Sequence, residues 1–291
     1  MSGSPPRCSS FDRWAAARVG IEWCHDHLER WHAFARTRSP EAFAAARRRA
    51  TRAAALLGAL PDGLAFEDRA LTEAVARQEP RWRSRLEARR AGLGTAFARQ
   101  LDTYQLVELH AVAGTSPDEE LIKLFHEHVC RSQATYLVSE GGRLARTELP
   151  RGRYKSKANH PPPCGIGHDP YVEAGAVDEA MRQLVAELAH DAFASAHPAV
   201  QTAYALHSLL AIHPFADGNG RVARALASIY LLRALSLPFF VEASDRRPYL
   251  DALRRADAGD VQPLVGFVAR RGRETISFAL HDTADARSRP A

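Results

Sequence analysis

The sequence predicts an all-α protein with one small β-hairpin, on three observations. Apolar residues recur at three- and four-residue spacing, as in Val200, Ala203, Tyr204, Leu206 and Leu210, the period of a helix with a buried face. Proline and glycine interrupt these runs, at Ser39-Pro40, Pro61-Asp62-Gly63 and Pro80, and cut the chain into helices of ordinary length. One stretch changes texture: Ala134 to Val138 and Arg143 to Thr147 read as strands around a Glu140-Gly141-Gly142 turn.

Taken in order, residues 12–37, 40–60, 66–79 and 81–100 are expected as four helices. Helices over 101–112 and 117–132 follow, the second opened by Thr115-Ser116-Pro117 with Asp118, Glu119 and Glu120 in its first turn, where a helix favours negative charge. After the hairpin, Val177 to Phe193 is amphipathic. Ala199 to Ile212 and Arg221 to Leu235 form two strongly apolar helices, and Asp245 to Ala258 and Val261 to Ala279 would cover the core. Two units are expected: residues 1–100, a helical, Arg-rich N-terminal extension, and residues 101–291, which carry the functional stretch.

Over 291 residues, 46% hydrophobic and 25% charged content describes a globular chain able to bury a full core. Met1 to Pro6 lacks the charged and apolar regions of a signal peptide. The most apolar long run, Ala225 to Val241, contains Arg233 and Pro238 and reads as a core helix, so no membrane association is expected. Cys8, Cys24, Cys130 and Cys164 show no paired spacing, which points to reduced thiols and a cytoplasmic protein. Cys24-His25-Asp26-His27 is rich in ligand types, but consecutive helical residues diverge, which argues against a metal there.

Residues 1–100 hold 18 Lys and Arg against 11 Asp and Glu, while 101–291 hold 21 against 23. The basic excess therefore lies wholly in the first third, at Arg47-Arg48-Arg49-Arg52 and at Arg81, Arg83, Arg85, Arg89 and Arg90. These runs read as solvated helix faces. Nucleic acid is not expected as a partner, because no interleaved aromatics or recognition motif accompany the charge.

Function concentrates in His213-Pro214-Phe215-Ala216-Asp217-Gly218-Asn219-Gly220-Arg221-Val222-Ala223-Arg224, between the two apolar helices. Pro214 has no N–H with which to continue the first helix, so His213 sits at its exit. Gly218-Asn219-Gly220 feeds the N-terminus of the second, where unpartnered N–H groups form an anion nest. Arg221 and Arg224 share a face in the first turn, against the helix dipole, an arrangement that calls for an anion. Asp217 is a hard oxygen ligand suited to Mg²⁺ beside phosphate. His213 titrates near neutrality and can accept a hydroxyl proton. Phe215 plugs the core and fixes the loop.

His-Pro-Phe-x-Asp-Gly-Asn-Gly-Arg-x-x-Arg resembles the signature of the Fic (filamentation induced by cAMP) family at every fixed position, and the resemblance covers about residues 101–280. It implies a small all-α fold with a β-hairpin flap and AMPylation, the transfer of AMP from ATP onto a Ser, Thr or Tyr hydroxyl of a target protein. By position it implies His213 as general base, Asp217 as the Mg²⁺ ligand, Gly218, Asn219 and Gly220 as the α/β-phosphate cradle, and Arg221 and Arg224 as clamps on the outer phosphates. Gly152-Arg153-Tyr154-Lys155 is similar to the entry into the family's flap, which holds the target as an added strand, although Pro161-Pro162-Pro163 truncates any strand here. Ala256-Asp257-Ala258-Gly259-Asp260 is similar to a segment near the family's adenine pocket, with Asp257 and Tyr249 as candidates; a helix stop at Gly259 is the plain alternative.

Another nucleotidyl or phosphoryl transfer, removal of AMP, and a binding module without catalysis stay open as alternatives. Many relatives restrain themselves through Ser/Thr-x-x-x-Glu-Gly/Asn on a helix, whose Glu pairs with the second arginine, here Arg224. The nearest match, Tyr136 to Gly141, lies in the hairpin stretch and has Tyr136 in the hydroxyl position. A separate antitoxin-like inhibitor protein or an absence of restraint follows, and a homodimer is compatible with the sequence.

Overall fold

The computed structural model describes residues 10–20, 23, 25–60, 66–140, 143–157 and 171–285. Its helices are α1 (Asp12–Ala15), α2 (His25–Thr37), α3 (Pro40–Leu57), α4 (Arg69–Arg77), α5 (Trp82–Arg89), α6 (Leu93–Ala113), α7 (Glu119–Val129), α8 (Val177–Leu188), α9 (Asp191–Ala194), α10 (Pro198–Ile212), α11 (Asn219–Leu235), α12 (Arg246–Asp257) and α13 (Gln262–Asp285). Between α7 and α8, β1 (Thr135–Glu140) and β2 (Arg143–Glu148) pair antiparallel, with Thr135 opposite Glu148 and Val138 opposite Ala145. The all-α expectation with one hairpin holds. Among the described residues no helix is long and apolar enough to cross a membrane.

Local chemistry sets the helix starts. Ser39 accepts from Ala42 N–H ahead of Pro40, Asp68 from Leu71 N–H, and Asp118 from Leu121 N–H, each cap contributing about 1 kcal/mol. Packing sets the architecture. α10 and α11 are buried along nearly their whole length and lie against each other at the centre. One apolar cluster joins them to α2, α6, α7, α8, α12 and α13, and takes in Phe11 and Trp14 from the N-terminal segment. A second cluster, built from α3 to α6 with Phe240, sits beside it. Trp31 Nε1 donates to Leu235 O at 2.7 Å, tying α2 to the end of α11.

Three expected helices divide differently, each for a visible reason. The helix expected over 12–37 breaks after α1 because Arg18 and Gln262 bond reciprocally, Arg18 N–H to Gln262 Oε1 at 3.0 Å and Gln262 Nε2 to Arg18 O at 2.6 Å, which draws the backbone out of a helical path. The boundary expected at residue 100 falls inside α6. The true break is at Gly92, whose φ of +77° ends the run, and Glu87 caps the new N-terminus by accepting from Gly92 and Gly94 N–H. The helix expected over 177–193 yields to α8 and α9, the latter capped by His190 Nδ1 accepting from Ala192 N–H.

The first basic run departs from the expected solvated face. Arg47 donates to Ser236 O and pairs with Glu108, Arg49 donates to Ala279 O, and Arg52 donates to Ala76 O. These arginines satisfy backbone carbonyls of other helices and fasten α3 to them. The second run, Arg81 to Arg90, is exposed as expected. Pro61 to Gly63, Gly141-Gly142, Pro161 to Pro163, Cys8, Cys24 and Cys164 lie outside the described residues; Cys130 is a buried free thiol.

Candidate active site

The site is the joint between α10 and α11. His197 caps α10 with its own side chain, Pro198 occupies the first turn, and the helix runs buried to Ile212. His213 then adopts a left-handed conformation, φ 53° and ψ 57°, its N–H closing on Leu209 O at 2.9 Å. A non-glycine residue held there marks a position that the surrounding structure dictates. Its ring faces Leu210 O through Nδ1 at 3.3 Å. A carbonyl only accepts, so Nδ1 carries the proton and Nε2 is left as the basic nitrogen. Tyr171 stacks on the same ring with centroids 3.8 Å apart.

Phe215 is wholly buried and stacks on His126 at 3.9 Å, anchoring the loop in the core. Asn219, also wholly buried, closes the loop: its Oδ1 accepts from Phe215 N–H at 2.9 Å and its Nδ2 donates to Phe215 O at 2.8 Å. Its side chain is thus a staple, and only its backbone N–H is available to the nest. Gly218 has φ +84°, and a Cβ there would come within 2.5 Å of Cys130 Sγ, so both backbone and space demand glycine. The arrangement places Gly218, Asn219 and Gly220 at the first turn of α11, as the motif predicts.

Asp217 and Arg221 meet around a residue that the motif does not contain. Asp217 Oδ1 accepts from Gly218 N–H at 2.7 Å, and Oδ2 accepts from Gln133 Nε2 at 2.6 Å. Arg221, 6% exposed, donates to Gln133 Oε1 at 2.8 Å and to Val129 O at 3.3 Å, with Asp217 Oδ1 3.8 Å from its guanidinium. Arg224, one turn on, is half-buried near Tyr104. Asp217 is itself 28% exposed at the edge of the nest, a carboxylate that fits one ligand of a Mg²⁺ completed by phosphate oxygens and water. No group of three or more His, Cys, Asp or Glu placed for a metal occurs among the described residues.

Three further side chains support the loop from outside the motif. His126 accepts from Gly152 N–H through Nδ1 at 2.9 Å, so its Nε2 carries the proton and donates to Asp217 O at 3.0 Å. A sequence signal existed: His126 stands at a core position of α7 among Ile122, Phe125 and Val129. Lys155 N–H donates to Pro214 O at 2.8 Å, and its side chain is buried with the ammonium 5.7 Å from the Tyr171 ring. Burial holds that ammonium down, from its ordinary 10.5 to about 8. Tyr154 donates to Glu119 at 2.9 Å and leans on Phe215, and burial pushes its hydroxyl up. Gln133 had no local signal, since both partners lie more than 80 positions away.

The base-pocket candidates lie on and beside α12, and Asp257 reaches α10 at His207, in the half of that helix nearer His213. Tyr249 packs on Phe267, and Asp257 accepts from the buried His207 at 2.9 Å, which fastens the end of α12 to α10. Gly259, at φ +95°, is the helix stop.

Residues 100–231 match the family model described as Fic/DOC family. Curated relatives include "Protein adenylyltransferase Fic" of Nematostella vectensis, 41% identical over 87 residues, 30% of this chain and 20% of that protein. The protein of the same name from Drosophila persimilis is 40% identical over 91 residues, 31% of this chain and 18% of that one. The chain thus spans about a fifth of the length of these relatives. Among solved structures, a Fic domain containing signaling protein from Bacteroides thetaiotaomicron superposes with a TM-score of 0.63 at 15% identity, covering 90% of this chain and 96% of that one. Fic-1 from C. elegans gives 0.59 at 17%, covering 89% and 71%. The helical fold is shared with both, and the match to the Fic/DOC family model lies over residues 100–231.

Proposed function

We propose that the chain is a protein adenylyltransferase that moves AMP from ATP to a Ser, Thr or Tyr hydroxyl of a target protein. The observation that carries this is His213, held in a strained backbone conformation with Nε2 as its basic nitrogen, five residues ahead of a glycine-formed helix N-terminus that carries Arg221. The activity named for the relatives supports the same reading.

In the reaction, the target hydroxyl oxygen attacks the α-phosphorus while His213 Nε2 takes its proton. The bond from that phosphorus to the α,β-bridging oxygen breaks, and pyrophosphate departs. Gly218 shapes the nest while its own N–H is taken by Asp217, and the N–H groups of Asn219 and Gly220 hold the phosphates where negative charge builds, which is worth most when the donors are fixed beforehand. Arg221 and Arg224 hold the outer phosphates through charge-assisted contacts. Asp217 would hold Mg²⁺, which supplies charge neutralisation on the phosphates. Proton removal by a positioned base contributes about 10²–10⁴-fold.

Incubation with Mg-ATP and host lysate, followed by mass spectrometry, tests this. Peptides carrying an AMP adduct on a hydroxyl side chain are expected with the wild type and absent with His213→Ala. Equal transfer by His213→Ala would overturn the assigned base.

A further inference from the structure

We propose that Gln133 is a positioning residue that holds the metal ligand and the phosphate clamp in register; this rests on the nucleotide reading of the site. Gln133 follows α7, where its N–H bonds to Cys130 O at 2.8 Å. Its amide is fully engaged: Nε2 donates to Asp217 Oδ2 at 2.6 Å and to Thr135 O at 3.2 Å, and Oε1 accepts from Arg221 at 2.8 Å. The orientation is forced. A guanidinium only donates, while a carboxylate and a carbonyl only accept, so flipping the amide would turn all three contacts repulsive.

The neutrality of this bridge is what suits it to a nucleotide site. Asp217 lies in the loop just before α11 and Arg221 in its first turn, and their charged atoms are held 3.8 Å apart. A carboxylate in place of Gln133 would neutralise Arg221 and repel Asp217. An apolar residue would leave both free to close into a direct ion pair, consuming the two charges that Mg²⁺ and phosphate are to meet. The amide instead engages each group at full hydrogen-bond strength and adds no charge of its own. Partners of metal-ligating carboxylates commonly act this way, and their loss costs about 10–100-fold in metal affinity or activity. Because Nε2 also holds Thr135 O, the first residue of β1, the root of the hairpin is tied to the same point.

The test is calorimetric binding of ATP in a His213→Ala background, which removes turnover, once with Mg²⁺ and once with EDTA. Gln133→Met keeps volume and removes all three bonds; the enhancement of ATP affinity by Mg²⁺ is expected to fall by about tenfold or more. Gln133→Glu keeps an acceptor for Arg221 but neutralises it, so ATP affinity in EDTA is expected to fall instead. If Gln133→Met does not fold, Gln133→Asn, one methylene too short to span both partners, takes its place with the same expectation. A role in stability alone would lower the melting temperature and leave the ratio of the Mg²⁺ and EDTA affinities at the parent value in every variant. That result would overturn the proposal while leaving the nucleotide reading intact. No ATP binding by the parent would overturn both.

Discussion

Two buried arginines, Arg221 and Arg271, show how differently one fold can treat the same charge. Arg271, 2% exposed on α13, meets Asp245 at 2.7 Å and Glu274 at 2.6 Å, donates to Phe240 O and lies over the Phe240 ring. Arg221 meets a neutral amide at 2.8 Å, with Asp217 at 3.8 Å, at the first turn of a helix whose dipole opposes it. The first arginine is compensated by the protein. The second, in the function proposed, would also meet the phosphates of an arriving nucleotide. Burial and an adjacent carboxylate describe both; the distance to that carboxylate and the helix end nearby tell them apart.

The largest effect that would break this comparison is in stability. Arg271→Met removes the buried partner of Asp245 and Glu274 and leaves both to Arg270, which bonds them at 3.0 and 3.1 Å, so the loss is expected at the lower end of that for a broken buried pair, about 3 kcal/mol. Urea unfolding should show that loss with ATP affinity near the wild-type value. Arg221→Ala should show the reverse emphasis. Loss of a charge-assisted contact of about 1.5–3 kcal/mol weakens ATP binding by about 10–150-fold, with a smaller stability loss than Arg271→Met. If Arg221→Ala were the more destabilising change and bound ATP normally, the two arginines would have exchanged roles.

Lys155 is a third buried cation and sharpens the contrast, because desolvation alone drives its shift to about 8. The folded state releases this proton more easily than the unfolded chain, whose ordinary value is 10.5, so the protein gains stability as pH rises from about 8 towards 10.5 and loses it as pH falls through 8. Lys155→Met should therefore be more stable than the wild type at pH 7, with the difference shrinking above pH 8 in thermal melts. The smallest effect concerns Glu140, which ends β1 opposite Arg143 rather than standing on a helix. Glu140→Gly should leave self-labelling with ATP near the wild-type rate, whereas release of a built-in restraint of about 1.4 kcal/mol would raise it tenfold.

The contiguous part of the site was legible because one stretch of sequence contains it. His213, Asp217, Gly218, Arg221 and Arg224 are ordered by a helix stop, a glycine turn and a helix start, all local events. Gln133, His126 and Lys155 reach the loop only through tertiary packing, and spacing along the chain carries no record of that. The same limit explains the helix boundaries. Caps at Ser39, Asp68 and Asp118 are written in short range, while the break near Arg18 depends on Gln262, 244 positions away. Arg47, Arg49 and Arg52 read as surface charge until the carbonyls that they hold are placed beside them.

The central claim is that the joint between α10 and α11 cleaves ATP at the α-phosphate with His213 as base. Parallel incubations with ATP labelled at the α- or the γ-phosphate test it most directly, with wild type and His213→Ala at equal concentration. Protein-bound label is expected from the α-position only, and only with the wild type. Label retained from the γ-position, or α-label of equal strength with His213→Ala, would contradict the claim.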